Sequence, residues 1–185
     1  RINSSLFKGK RFNGMRRFAL IRSNGRDSSS KKYNRPDGRS RFFPAVFKKN
    51  SLTLEAISDI PVLNSELDSE DPRISCINHH YYISYVKTFP DLSETCEPSI
   101  GCMPALAWTD DFFNFHKIGL QGMPLYSKDF VLFDRTINRE YVALHKPTIP
   151  EHLKDRKDLK HFATNKECIW IAYSKDLKTW YNHEV

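Results

Sequence analysis

Short apolar, β-branched and aromatic runs recur along the chain, and turn residues close each of them. Ser4 to Phe7, Arg17 to Ile21, Phe42 to Phe47 and Leu52 to Ile57 read as strands. Ile74 to Ile77 and Tyr81 to Val86 flank Asn78-His79-His80 in a hairpin pattern. Met103 to Trp108, Phe130 to Phe133, Tyr141 to Leu144, Ile169 to Tyr173 and the stretch from Thr179 continue the series, and the aromatic run Phe112 to Ile118 follows a turn at Thr109-Asp110-Asp111. Between them lie polar segments. Ser23 to Arg41, with Gly25, Pro36 and Gly38, reads as a long loop, Ser58 to Ser69 as a linker and Pro90 to Gly101 as a second loop. Thr148 to Lys166 is a charged insert with a helical pattern around Glu151 to Leu159.

Glu70-Asp71-Pro72-Arg73 introduces the strand-like run that starts at Ile74. Proline fixes φ and donates no ladder hydrogen bond, so it suits the first position of a strand. The residue before it is pushed towards extended geometry, which predicts an extended Asp71 at the mouth of a sheet.

The pattern repeats. Asn3-Ser4-Ser5, Asp71-Pro72-Arg73 and Asp129-Phe130-Val131 each open a strand, a turn and a second strand, with steps of 68 and 58 residues. Ala107-Trp108-Thr109-Asp110-Asp111 is echoed 65 residues on by Ala172-Tyr173-Ser174-Lys175-Asp176. Four short strands per repeat is the organisation of propeller blades, each of which buries its faces against its neighbours. The expected class is all-β, one partial propeller domain over 1–185 with blades roughly at 1–69, 70–127 and 128–185. A β-sandwich suits the same strand count. First strands line the channel of a propeller, so Asn3, Asp71 and Asp129 would converge on one axial pocket.

Composition narrows the picture. Apolar residues make up 39% of 185, enough for a core, yet no apolar run reaches the ~20 residues of a membrane helix. The opening Arg1-Ile2-Asn3-Ser4-Ser5 lacks the apolar centre of a secretion signal. Cys76, Cys96, Cys102 and Cys168 form no Cys-x-x-Cys, and no Cys/His cluster has zinc spacing, so no metal is expected. A reduced, cytoplasmic compartment follows as the simpler expectation. Net charge is +7, but residues 1–50 carry 15 Lys+Arg against two acids. That end reads as a solvated loop. Its arginines, interleaved with Phe12, Tyr33 and Phe42, also suit a nucleic-acid backbone, although no nucleic-acid motif accompanies them.

Four motifs appear in order: Glu70-Asp71-Pro72-Arg73-Ile74, Lys128-Asp129-x-Val131-Leu132-Phe133, Tyr141-x-x-Leu144-His145-Lys146-Pro147, and Ile169-Trp170-x-Ala172-x-Ser174-x-Asp176-Leu177-x-x-Trp180. Together they resemble glycoside hydrolase family 130, the β-mannoside phosphorylases and related hydrolases. The resemblance implies the first part of a five-bladed β-propeller. It implies inverting phosphorolysis of a β-mannosidic bond to mannose 1-phosphate, with inorganic phosphate as co-substrate and no other cofactor. The proton donor falls on Asp71, which relays through a mannose hydroxyl, and Arg73 holds its geometry. Asn3, Ser4 and Arg22 fall in the mannose subsite with Asp129 nearby, and Lys128, His145 and Lys146 at the phosphate. Two positions depart from the family pattern: Lys146 stands where Arg is common, and Asp134 where Pro is. Lysine keeps the charge but lacks the bidentate fork.

On the residues alone, Asp71 and Arg73 also read as an ion pair tying strand ends, and Lys128 and Lys146 as surface lysines. His79 and His80, adjacent in a turn, read as structural, and Trp108, Trp170 and Trp180 as packing residues. A β-mannosidase-type hydrolase and an inactive carbohydrate-binding remnant remain the alternatives. A homo-oligomer is one way to cover the sheet edges that three blades leave open.

Overall fold

The structure, a computed structural model, describes residues 18–23, 40–48, 50–58, 60–63, 68–90, 100–148 and 168–185. Among them lie eleven β-strands in three antiparallel sheets, so the all-β expectation holds. The first sheet comprises β1 (Phe18–Ser23), β2 (Arg41–Phe47) and β3 (Leu54–Ile57). The second comprises β4 (Asp68–Ile77), β5 (His80–Pro90), β6 (Ile100–Thr109) and β7 (His116–Leu120). The third comprises β8 (Tyr126–Leu132), β9 (Tyr141–Thr148), β10 (Trp170–Ser174) and β11 (Tyr181–Glu184). Within each sheet the strands follow one another in chain order. The helical pattern expected at Glu151 to Leu159 and the strand at Ser4 to Phe7 lie outside the described residues.

The second sheet is buried on both faces. Along β5, Ile83 and Tyr85 alternate with Ser84 and Val86, and all four are buried. Successive side chains of a strand point to opposite faces, so β5 has no wet side. On one face Ile83, Tyr85, Ala105 and Ala107 pack against Phe42 of the first sheet. The small alanines of β6 make room for the Phe42 ring, which stands edge-on to Tyr85. On the other face Ile77 and Leu106 meet Phe130, Leu132, Ala143, Ala172 and Trp180 of the third sheet. Each large apolar side chain removed from water contributes roughly 1.5–3 kcal/mol. The hydroxyls of Ser75 and Ser84 donate to the carbonyls of Leu132 and Phe130 at 2.5 and 3.0 Å, satisfying polar atoms that this packing buries.

The 65-residue echo is a repeated turn. Thr109 Oγ1 accepts from the amides of Asp111 and Phe112, and Asp111 Oδ1 from those of Phe113 and Asn114. Ser174 Oγ accepts from Asp176 and Leu177, and Asp176 Oδ1 from Lys178 and Thr179. Phe112 and Leu177 share a φ of 58°. The second turn also docks the sheets. Gly122 N donates to Lys178 O at 2.6 Å, and a Cβ on Gly122 would sit 3.1 Å from that oxygen. The buried Trp180 indole donates to Gln121 at 2.8 Å. Trp170 and Trp180 are packing residues, as expected.

One local expectation fails. Asp71 is not extended: its φ is +50°, in the left-handed region. Nor does it open its strand, since β4 begins at Asp68. The register runs Glu70↔Val86 and then Arg73↔Ser84, so Asp71 and Pro72 together face the single residue Tyr85. This is a β-bulge, and the left-handed residue absorbs the extra length. Aspartate tolerates that region better than most residues.

Candidate functional site

The β4 bulge gathers charges from all three sheets. Arg22, near the end of β1, reaches Asp71 Oδ1 through NH1 and Glu70 Oε1 through NH2, both at 2.7 Å. The buried Ser40 hydroxyl lies 3.4 Å from Nε and NH2 of the same guanidinium. Arg73 donates from NH1 to the backbone carbonyl of Asp71, and from NH2 to Asp129 Oδ1, each at 3.2 Å. An unbroken series therefore runs from β1 through Arg22, Asp71 and Arg73 to Asp129 on β8. Asp129 sits at a matching bulge, with φ +54° where the register shifts between Lys128 and Val131.

Arg73 does not pair with the Asp71 carboxylate, as an ion pair tying strand ends would. It fixes the backbone that the left-handed φ distorts, and Arg22 takes the carboxylate. The Asp71 side chain is 47% exposed. Its Oδ1 is held, and among the described residues no hydrogen bond or ion pair engages Oδ2.

Lysines stand beside this series. Lys128 on β8 faces Lys146 on β9 as a direct cross-strand pair. The Cys102 thiol, half-buried on β6, feels Lys128, Asp129 and Glu70 together, which puts that lysine in the same charged neighbourhood. Burial pushes the thiol's pKa up, and Lys128 pulls it back. Among the described residues, no group of three His, Cys, Asp or Glu side chains is close enough to hold a metal.

The chain is 31% identical over 134 residues to 1,2-β-oligomannan phosphorylase from Thermoanaerobacter sp. (strain X514), covering 68% of this chain and 36% of that protein. It is 33% identical over 114 residues to β-1,2-mannobiose phosphorylase from Listeria innocua, covering 62% of this chain and 26% of that protein. The β-1,2-mannobiose phosphorylase from Listeria innocua, solved with β-1,2-mannobiose, superposes with a TM-score of 0.57 at 26% identity, over 78% of this chain and 36% of that one. The resemblance to the β-mannoside phosphorylases of glycoside hydrolase family 130 that the four motifs carry is thus matched by two relatives named as phosphorylases of β-1,2-linked mannosides. The matches span about a third or less of the length of these curated relatives. No family model matches the chain.

The family resemblance had assigned His145 to phosphate, and the structure removes it from any ligand. Its side chain is 1% exposed. Nδ1 meets Ser127 Oγ at 2.8 Å and Nε2 meets His183 Nδ1 at 3.0 Å, while His183 Nε2 lies 3.1 Å from the Trp180 carbonyl. A carbonyl only accepts, so His183 Nε2 carries a proton. Neutral His183 then accepts at Nδ1, His145 donates from Nε2, and Ser127 donates to His145 Nδ1. Burial first, and the neighbouring His183 second, lower the His145 pKa from 6.5 to about 4. Alternation along β9 carried this signal in the sequence: His145 lies two positions from Ala143 and shares its inward face, and Lys146 turns the other way.

Asn3 and Ser4, expected in the mannose subsite of such a phosphorylase, lie outside the described residues. Asp71, Arg22, Arg73 and Asp129 come together. Two participants were missed. Glu70 was quoted in the motif without a role, and Ser40 lies in a segment that reads as loop. His80, expected to be structural, pairs with Asp110 at 2.6 Å beside Trp108.

Proposed function

We propose that this chain is the first part of a five-bladed β-propeller phosphorylase that cleaves a β-mannosidic bond with inversion and releases mannose 1-phosphate. The observation that carries the reading is the Arg22–Asp71–Arg73–Asp129 series, which ties three sheets together through two aspartates held at positive φ. Its relatives named as β-1,2-mannoside phosphorylases support a β-1,2-linked mannoside as substrate. In this scheme a phosphate oxygen attacks the anomeric carbon from the face opposite the leaving oxygen. The C–O bond to the acceptor sugar breaks, and the leaving oxygen takes a proton that Asp71 delivers through a mannose hydroxyl. Phosphate is the nucleophile, so the protein supplies cations and not a second carboxylate. Lys128 and Lys146 hold the phosphate. Arg22 and Asp129 border the mannose. No cofactor beyond phosphate enters, and a cytoplasmic supply of phosphate suits the chemistry.

The test runs the reaction in reverse. Protein, mannose 1-phosphate and a panel of mannose acceptors are mixed, and released phosphate is followed for the native chain and for Asp71→Asn. Release by the native chain that disappears in the variant is expected. Free mannose formed from β-1,2-mannobiose without phosphate would reassign the chain to hydrolysis. Release that persists undiminished in Asp71→Asn would overturn the assignment of the proton donor.

A further inference from the structure

Two carboxylates share one guanidinium at the bulge, and they are not equivalent. Glu70 and Asp71 each lie 2.7 Å from Arg22, but the Glu70 side chain is 24% exposed and that of Asp71 47%. The less exposed pair is the less screened and the stronger anchor. Ser40, 3% exposed, backs the NH2 and Nε side of the guanidinium, the same side that Glu70 engages. NH1 alone is turned to Asp71.

We infer that Glu70 is a positioning residue for the reaction proposed above: it holds Arg22 so that Asp71 receives a single hydrogen bond and keeps Oδ2 clear for substrate. Arginine and a carboxylate readily form a two-bonded fork. Adjacent residues carrying two carboxylates compete for that fork, and the competition decides which oxygens Asp71 has available. Without Glu70, both arms of Arg22 close on Asp71 and occupy the oxygen that has to reach the mannose hydroxyl. Ser40, at 3.4 Å, is too distant a partner to prevent this. Glu70 touches no reacting atom in this scheme and acts through Arg22. The inference rests on the phosphorylase reading.

The experiment compares Glu70→Ala and Glu70→Gln with the native chain in mannobiose phosphorolysis, alone and in an Arg22→Lys background. Lysine keeps a charge there but presents no fork. Loss of a charge-assisted hydrogen bond predicts that Glu70→Ala lowers kcat roughly 30-fold with KM changed less than about 3-fold. Glu70→Gln, which keeps an acceptor for NH2, stays within about 5-fold of native. In the Arg22→Lys background, Glu70→Ala costs little more, because the fork it restrains is already gone. A full loss on top of Arg22→Lys, with unchanged thermal stability, would show that Glu70 acts elsewhere and overturn the inference, as would a Glu70→Ala enzyme of native kcat. If the native chain turns nothing over, kinetics bear on the phosphorylase reading and not on the contact. The Arg22 contact is then judged directly, by nuclear magnetic resonance of the guanidinium. Distinct NH1 and NH2 signals in the native chain that change in Glu70→Ala, as NH2 passes from Glu70 to Asp71, support the anchor, and unchanged signals refute it.

Discussion

β4 and β8 use one backbone device for two ends. Each opens its sheet, each is bulged, and each places an aspartate at positive φ, Asp71 at 50° and Asp129 at 54°. What surrounds the two bulges differs. After Asp71 comes Pro72, and the Asp71 carboxylate is aimed at Arg22 and solvent. After Asp129 comes Phe130, fully buried against Trp180, and the Asp129 carboxylate is used to hold Arg73. The bulge supplies the same geometry to both sheets, and each aspartate has one oxygen held by one arginine, Asp71 by Arg22 at 2.7 Å and Asp129 by Arg73 at 3.2 Å, so the neighbours are what distinguish them. A left-handed non-glycine residue costs on the order of 1–3 kcal/mol, so two of them persist only where surrounding contacts fix them. Arg73 provides that at Asp71, by gripping the carbonyl with one arm and Asp129 with the other.

The largest test of this asymmetry compares the two aspartates. Asp71→Asn keeps the shape and removes the proton, and a loss of about 10²–10⁴-fold in kcat is expected of a general acid. Asp129→Asn weakens a grip on Arg73 and is expected to cost about 10-fold, without loss of mannoside turnover as such. Steady-state phosphorolysis of both variants decides it. Equal losses would mean that the two bulges do the same work, and the division drawn between them would be wrong.

A second contrast is in the residue that faces each bulge. The residue facing the β4 bulge is Tyr85, and the one facing the β8 bulge is His145, locked neutral between Ser127 and His183. Its folded pKa, about 4, lies below the ordinary 6.5. Between those values the unfolded chain binds a proton that the folded chain refuses. The stabilisation is therefore complete above pH 6.5 and is lost as pH falls towards 4, by about 3 kcal/mol at most. Urea unfolding at pH 7 and pH 4.5 measures it. His145→Gln is expected to flatten this acid slope. A slope that survives the substitution would assign the acid sensitivity to another group.

Much of this was legible in the chain. The apolar runs located the strands, because strand periodicity depends on neighbours in sequence. The Thr109 and Ser174 turns were legible too, since their bonds span only two or three residues. The bulge was not. Whether Asp71 is extended depends on how many residues of β5 face it, and that is a property of the ladder. The rule for residues before proline therefore pointed the wrong way. Arg22 was placed near the sugar by resemblance, but its pairing with Asp71 joins positions 49 residues apart across two sheets. His145 was misread because its neighbour Lys146 belongs to a charged motif; alternation sends the two side chains to opposite faces.

The smallest effect comes where the second and third sheets are most alike. Asp111 and Asp176 each accept two backbone amides in the same turn. Burial works against the Asp111 carboxylate, but the amides of Asn114 and Phe113 outweigh it and keep its pKa below 3.8. The amides of Thr179 and Lys178 do the same for Asp176. Both contributions are present above pH 3.8 and fade as pH drops through the lowered folded values. Replacing either aspartate by alanine leaves amides to water at an exposed turn and is expected to cost about 1 kcal/mol, as loss of a helix cap does. The Asp176 turn carries one additional duty, since Lys178 O and Trp180 N bond Gly122 and tie the third sheet to the segment leaving the second. Asp176→Ala should therefore destabilise at least as much as Asp111→Ala in parallel thermal melts. If Asp111→Ala cost clearly more, Gly122 would hold the third sheet without help from the turn, and the two turns would be alike in hydrogen bonds but not in load.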